Sequence, residues 1–344
     1  MTGATAGAGK VLDAGELREL VAAAGAAPSL HNSQPWRFRS AEDGSGVLVF
    51  ADRTRAVPLA DPDGRALLVS VGAALFNLRA AAARNGLPVG TELLPDRADL
   101  ADRADGTDGA GAEERPVAVL RFGPRGVPYP PAELADAIGR RHSSREPFGN
   151  RDVPEAVVGE LIAAAAAEGA VLEFLEEAGA RRVLALTAEA EARIAGDAAR
   201  RAETGSWLRE EPAADGIPER ALGPQDPESR VPVRDFAGHG PDHPERFEAL
   251  PQVATVATAG DTPADWLRAG QAMERVWLLA TARGLRVSVL HQAVELPDTR
   301  GALRDPDGGP GTGSIQVVLR VGYGPPGAAT PRRDVEDLLG GPVV

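Results

Sequence analysis

Two short stretches concentrate side-chain donors and acceptors beyond what a core or a plain surface needs. The first, Ala27–Trp36, reads APSLHNSQPW. Ser29, Asn32 and Gln34 offer a hydroxyl and two amides, while Pro28 and Pro35 stiffen the backbone around them. Such a set suits the polar edge of a planar heterocycle. It suits equally a helix-to-strand connection made of local Asx and Ser turns. The second stretch, Arg140–Phe148, reads RRHSSREPF. Arg141, Ser143 and Arg145 alternate, so an extended backbone would turn them to one side. Two guanidinium forks and a hydroxyl facing one way fit a phosphate or another oxyanion. The same residues would also make a solvated basic loop or an Arg-Arg-x-Ser phosphorylation site.

The totals narrow the chemistry. Fifty acidic against 37 basic residues give a formal net charge of −13, opposite to the basic surface that nucleic acid or an anionic membrane selects. The absence of cysteine excludes disulfides, thiol nucleophiles, thiolate metal sites and iron–sulfur ligation. His239 and His243 sit in HGPDHP, among Pro and Gly, and no His/Asp/Glu spacing suggests a metal site. MTGATAGAGK at the N-terminus has no apolar run of signal-peptide type, and no apolar stretch is read as long enough to cross a bilayer, so the expected location is the cytoplasm. A length of 344 residues suggests two domains.

The elements that must position the two stretches contain an internal repeat. GAALFNLRAAAARNGLPV (Gly72–Val89) parallels GQAMERVWLLATARGLRV (Gly270–Val287), an offset of 198, and VAVLRFG (Val117–Gly123) parallels QVVLRVG (Gln316–Gly322), an offset of 199. Leu68, Val71, Leu75 and Leu78 recur at helical spacing in the first copy, as do Trp266, Met273, Val276, Trp277 and Ala280 in the second. Each helix ends at a glycine and leads into a short apolar strand. Asp13 and Glu16 form a capping-box pattern opening a helix through Ala26. Strands are expected at Trp36–Ser40, Val47–Ala51 and near 170–176, with helices from Pro131 to about Arg140 and at about 154–168 and 178–203. Residues 95–115 read as an acidic loop. Residues 205–250 read as a lid, binding loop or disordered segment, with Trp207 as its cover or its anchor. Trp36, Trp266 and Trp277 read as core.

PSLHNSQPW together with RRHSSREPF resembles the nitroreductase family of FMN-dependent oxidoreductases. Ordinary members carry both motifs in a shorter chain, the Arg-Ser motif first, and build each flavin site across a homodimer. Here the order is reversed. Adding 198 to Pro28–Trp36 lands on DPESRVPVR (Asp226–Arg234), which lacks the motif, and subtracting it from Arg141 runs off the chain. Each copy retains what the other lacks, which resembles the fused, Acg-type branch of the family. The resemblance, extending to TPRRDVEDLL (Thr330–Leu339), covers nearly the whole chain; 95–115 and 205–250 match loosely.

That resemblance implies an α+β fold of two fused halves, a pseudo-dimer in one chain with an antiparallel sheet in each half flanked by helices. The halves are expected at 1–124 and 125–344. It implies one FMN, approached by Pro28, Ser29, His31, Asn32 and Gln34 from the first half. Arg141, His142 and Ser143 would follow its ring and ribityl region, and Arg145 would lie near the 5′-phosphate. Arg332 and Arg333 would face the phosphate, and His291 and Gln292 would pass near N5, by backbone contact or with His291 as proton donor. A cation near N1 would favour the reduced flavin. The implied activity is hydride transfer from NADH or NADPH to a small acceptor such as a nitroaromatic, quinone or enone. The alternative is an FMN-sequestering protein with a lid and little turnover. A single chain mimicking a dimer is expected, with higher oligomers left open.

Overall fold

The computed structural model describes residues 12–41, 44–96, 115–236, 244–304 and 313–340. The first half opens with α1 (Ala14–Gly25), which carries the expected capping box between Asp13 and Glu16. Strands β1 (Trp36–Ser40) and β2 (Gly46–Ala51), helix α2 (Arg65–Arg84), and strands β3 (Val89–Leu93) and β4 (Ala118–Phe122) follow. The second half repeats this plan with α3 (Glu155–Ala166) and β5 (Val171–Phe174). Next come α4 (Glu177–Gly196), α5 (Ala198–Gly205) and a two-stranded parallel pair, β6 (Leu208–Arg209) and β7 (Ile217–Pro218). The chain continues through β8 (Gln252–Thr258), α6 (Pro263–Ala282), β9 (Arg286–Val289), α7 (Gln292–Glu295), α8 (Pro297–Ala302), β10 (Ser314–Gly322) and α9 (Val335–Leu338).

Both four-stranded sheets have one topology. The first runs β1-β2-β4-β3 and the second β5-β8-β10-β9, every pair antiparallel, each with its long helix between its second and third strands in sequence. The long helices α2 and α6 cross where the repeat begins. A Cβ on Gly72 would lie 2.2 Å from the Leu267 carbonyl oxygen, and one on Gly270 would lie 2.0 Å from that of Val69. Gly72 and Gly270 differ by 198, as do Val69 and Leu267, so the contact is its own mirror across the crossing, as in a two-fold interface. Glycine is required there because the backbones touch. One hydrophobic cluster contains Trp36, Val71 and Leu75 from the first half and Met273, Trp277 and Val287 from the second, so the halves share a core.

Three expectations change. Ala132–Arg140 forms 3₁₀ turns and not an α-helix. The helix expected over 178–203 breaks at Asp197, whose carboxylate accepts from the amides of Ala199 and Arg200 and so starts a new helix. Arg65–Arg84 is long and apolar enough to cross a membrane by composition, yet 94% of its most apolar window is buried within the protein, as befits a core helix. The C-terminal segment returns to the first half: Leu339 bridges to Phe38, and Gly340 donates its amide to the Phe38 carbonyl at 2.8 Å. Most of 95–115, with His239 and His243, lies outside the described residues.

Candidate active site

The loop after α1 is held in a strained shape. His31, Asn32 and Gln34 all have positive φ, at 52°, 55° and 51°, a region that non-glycine residues occupy only when their surroundings over-determine it. The determinants are visible. Asn32 donates to the carbonyls of Gly216 and Pro331 at 2.9 and 3.0 Å and accepts from Arg332 Nη1 at 2.9 Å. Gln34 donates to the Ala214 carbonyl and accepts from the Arg333 amide, both at 2.9 Å. Ser29 Oγ accepts from the Gln34 amide at 2.9 Å. The amides of Asn32 and Gln34 are thus occupied by the β6–β7 connection and the C-terminal tail. Arg55 pairs with Asp215 at the tip of that connection.

Pro28, Ser29, Leu30 and His31 instead form one wall of a cleft of about 890 Å³, counting its mouth. Ser143 and Arg145 of the second motif, Ser288–Gln292, and Val233, Arg234 and Phe236 of the 205–250 segment form the others. Met273 and Trp277 of α6 and Ala66, Val69 and Ser70 of α2 add to the lining. Among the expected site residues, Pro28, Ser29, His31, Ser143, Arg145, His291 and Gln292 meet here; Asn32, Gln34, Arg141, His142, Arg332 and Arg333 are off the wall. The alternation Arg141-Ser143-Arg145 does not hold to one side. Arg141 is drawn inward to Glu274 at 3.3 Å, to the Ala26 carbonyl at 3.1 Å and over the Trp277 ring at 4.7 Å.

Among the described residues, no Asp or Glu lines the cleft. Arg145 has no carboxylate partner among the described residues; its Nη1 donates to the Ala221 carbonyl at 2.7 Å, and its guanidinium lies 5.6 Å from the Phe236 ring centre. Burial and then Arg234 depress its pKa to about 10, so it stays charged at neutral pH. Burial and then Arg234 also depress His291, to about 3, and the same two causes lead for His31; both imidazoles are neutral at pH 7. His31 packs edge-on against Phe236, ring centres 5.4 Å apart.

Beside the cleft stands a second cationic group. Arg141, Arg286 and Arg332 surround His142, whose pKa is lowered by burial and then by these three cations in turn. Arg332, depressed to about 9 by burial and then Arg141, bonds only to neutral acceptors. Arg286 has no carboxylate partner among the described residues and a buried Nε without a hydrogen bond. Glu274 is the one carboxylate paired into this group, its pKa raised by burial to about 7 despite Arg141. Arg333 is committed elsewhere, to the carbonyls of Gln34, Trp36 and Asp337. Sequence reasoning missed Arg286, which stands at the end of the second repeat copy, and Arg234 and Phe236, which lie in no motif. It read Trp277 as core, and that side chain both packs there and lines the cleft.

Comparison with known proteins fits this arrangement. A sequence model of the nitroreductase family matches residues 138–323. A Mycobacterium tuberculosis protein provisionally named an NAD(P)H nitroreductase is 31% identical over 336 residues, spanning 95% of this chain and 92% of its own. Acg of the same organism, named in the same provisional way, is 29% identical over 321 residues, 91% of this chain and 92% of its own. A solved Bacteroides fragilis nitroreductase with bound FMN superposes on 58% of this chain and 93% of its own at 15% identity and a TM-score of 0.35, an overlap too loose to add to the assignment. The chain belongs to the nitroreductase family, a family of FMN-dependent oxidoreductases.

Proposed function

We propose that this chain binds a single FMN at the seam between its halves and uses it to carry reducing equivalents from NADH or NADPH to a small acceptor, a nitroaromatic, quinone or enone. The observation that supports this most is charge. Among the described residues, Arg141, Arg286 and Arg332 against Glu274 leave a surplus of cation beside a cleft that no acid lines, in a chain of net charge −13. Buried cations without counterions are costly unless an anion completes them. A phosphate monoester carries nearly two negative charges, so the outer group suits the 5′-phosphate. The cleft, with Trp277, Met273, Val69 and Phe236, suits a flat ring.

Bound there, the flavin supplies two-electron transfer at its N5. The chain's own residues position and insulate it. Arg141, His142, Arg286 and Arg332 would hold the phosphate. Arg145, unlike those arginines, lines the cleft; we therefore place it at the ring, where a cation favours the reduced form. Pro28, Ser29, Ser143, His291 and Gln292 would shape the ring pocket, and Asn32 and Gln34 hold the loop that presents it. Ser143, bridged to Val287, fixes the second motif to the strand that carries His291.

The test is colour and reducibility. Purified protein is expected to be yellow and to bleach anaerobically with NADH or NADPH in a stopped flow. The bonds from Asn32, Gln34 and Arg55 to residues 214–216 favour a second reading, in which that segment closes over FMN and sequesters it. Bleaching by dithionite but by neither nicotinamide would select that reading. Protein that takes up no FMN would refute both.

A further inference from the structure

Arg145 and Arg234 both line the cleft, and one FMN placed as above uses only the first. Arg141, Arg286 and Arg332 do not line it. With the phosphate at the outer group and Arg145 at the ring, Arg234 has no assigned partner in the cofactor. We infer that Arg234, backed by Arg145, forms an oxyanion site for the co-substrate, so that the molecule reduced or oxidised here presents a carboxylate or phosphate to the cleft. This rests on the FMN reading above.

The placement of Arg234 supports the role. Its Nη2 is clamped by Glu295 at 2.5 Å and its Nε faces Glu191 at 4.0 Å. Neither carboxylate is on the cleft wall. They fix the fork from behind, and Nη1 is left buried with no hydrogen bond. The side chain is 9% exposed, so an anion meeting it would be largely desolvated, where charge-assisted bonds count for most. Among the described residues, an incoming oxyanion would meet no like charge on the wall. Ser70, Ser288 and Gln292 offer neutral polar groups, and Phe236, two residues beyond Arg234, gives an aromatic face. A conjugated or aromatic acid matches that combination.

The experiment uses the FMN-loaded protein and paired probes, with perturbation of the bound flavin's absorbance as readout. Benzoate is titrated against benzyl alcohol, and nicotinamide mononucleotide against nicotinamide riboside. At least one of benzoate and nicotinamide mononucleotide is expected to bind about tenfold tighter than its partner lacking the oxyanion, at low ionic strength. Preference for benzoate assigns the site to the acceptor's carboxylate; preference for the mononucleotide alone assigns it to the donor's phosphate. Arg234→Gln is expected to reduce the preference to under about threefold while flavin content stays near one per chain. Glu295→Gln, which removes the opposing charge and keeps the acceptor, is expected to tighten anion binding several-fold, and so tests the site should Arg234→Gln not fold. No preference in either pair, a preference that survives Arg234→Gln, or loss of FMN in that variant would overturn the inference. A colourless protein would instead fail the FMN reading itself.

Discussion

Asn32 shows how a motif residue can hold a loop without lining the cleft beside it. Its amide spans Gly216, Pro331 and Arg332, and its backbone is strained. Asn32→Ala should therefore destabilise the apoprotein by about 1–3 kcal/mol, because it strips partners from buried groups; thermal denaturation without FMN checks this, and an unchanged midpoint would count against it. Arg286→Ala or Arg332→Ala should weaken FMN binding by about 2 kcal/mol each, the worth of a charge-assisted bond, as read by fluorescence titration. At this scale the sequence was legible where chemistry clustered: Pro28, Ser29, Ser143 and Arg145 announce themselves by type and spacing. Arg286 and Arg234 did not, because an isolated arginine beside a strand looks the same whether it meets water or a ligand. Arg141 misled for a physical reason. Alternation assumes an extended strand, but the residue directly follows the 3₁₀ turns, its amide still bonded to the Ala137 carbonyl, and its side chain turns to Glu274.

Among the elements, the α2–α6 crossing sets the distance between the two loops. Gly72→Ala should cost at least about 2 kcal/mol, since the new methyl meets backbone and not a movable side chain. Gly270→Ala should cost a similar amount, because its contact mirrors the first. A melt showing one variant destabilised and the other untouched would contradict the two-fold reading of the crossing. The repeat offset already pointed to these glycines as equivalent, and hydrophobic periodicity located α1, β1, β2 and the long helices. The break at Asp197 was less visible, because Ala-rich sequence on both sides carries strong helix propensity and only the capping carboxylate marks the end. The crossing itself was hidden, because the sequence shows that two helices match but not that they touch.

For the whole molecule, the matching topologies and shared core support a duplicated pseudo-dimer in which the first half lends a strained loop and the second an arginine cluster. Burying histidines beside cations has a pH signature. His291 titrates near 3 when folded against about 6.5 when unfolded. Above pH 6.5 both states are neutral and nothing is lost. As the pH falls, the unfolded chain takes up a proton that the folded chain refuses, so stability declines between 6.5 and about 3, by at most about 5 kcal/mol. His31 shifts the same way. Glu274, raised to about 7, works the other way over this range, since its protonation restores stability as the pH falls. His291→Asn should therefore remove an acid-side loss, making the apoprotein's melting temperature at pH 5 higher relative to that at pH 7.5 than in the unmodified chain; a pH dependence unchanged by the substitution would disprove the assignment.

The seam between the halves is tested most directly by counting flavins. Apoprotein titrated with FMN, followed by quenching of flavin fluorescence, should saturate at one FMN per chain, with the midpoint about thirtyfold higher when Arg332 is replaced by alanine. Saturation at two per chain, or no quenching at all, would contradict a single site built jointly by the two halves.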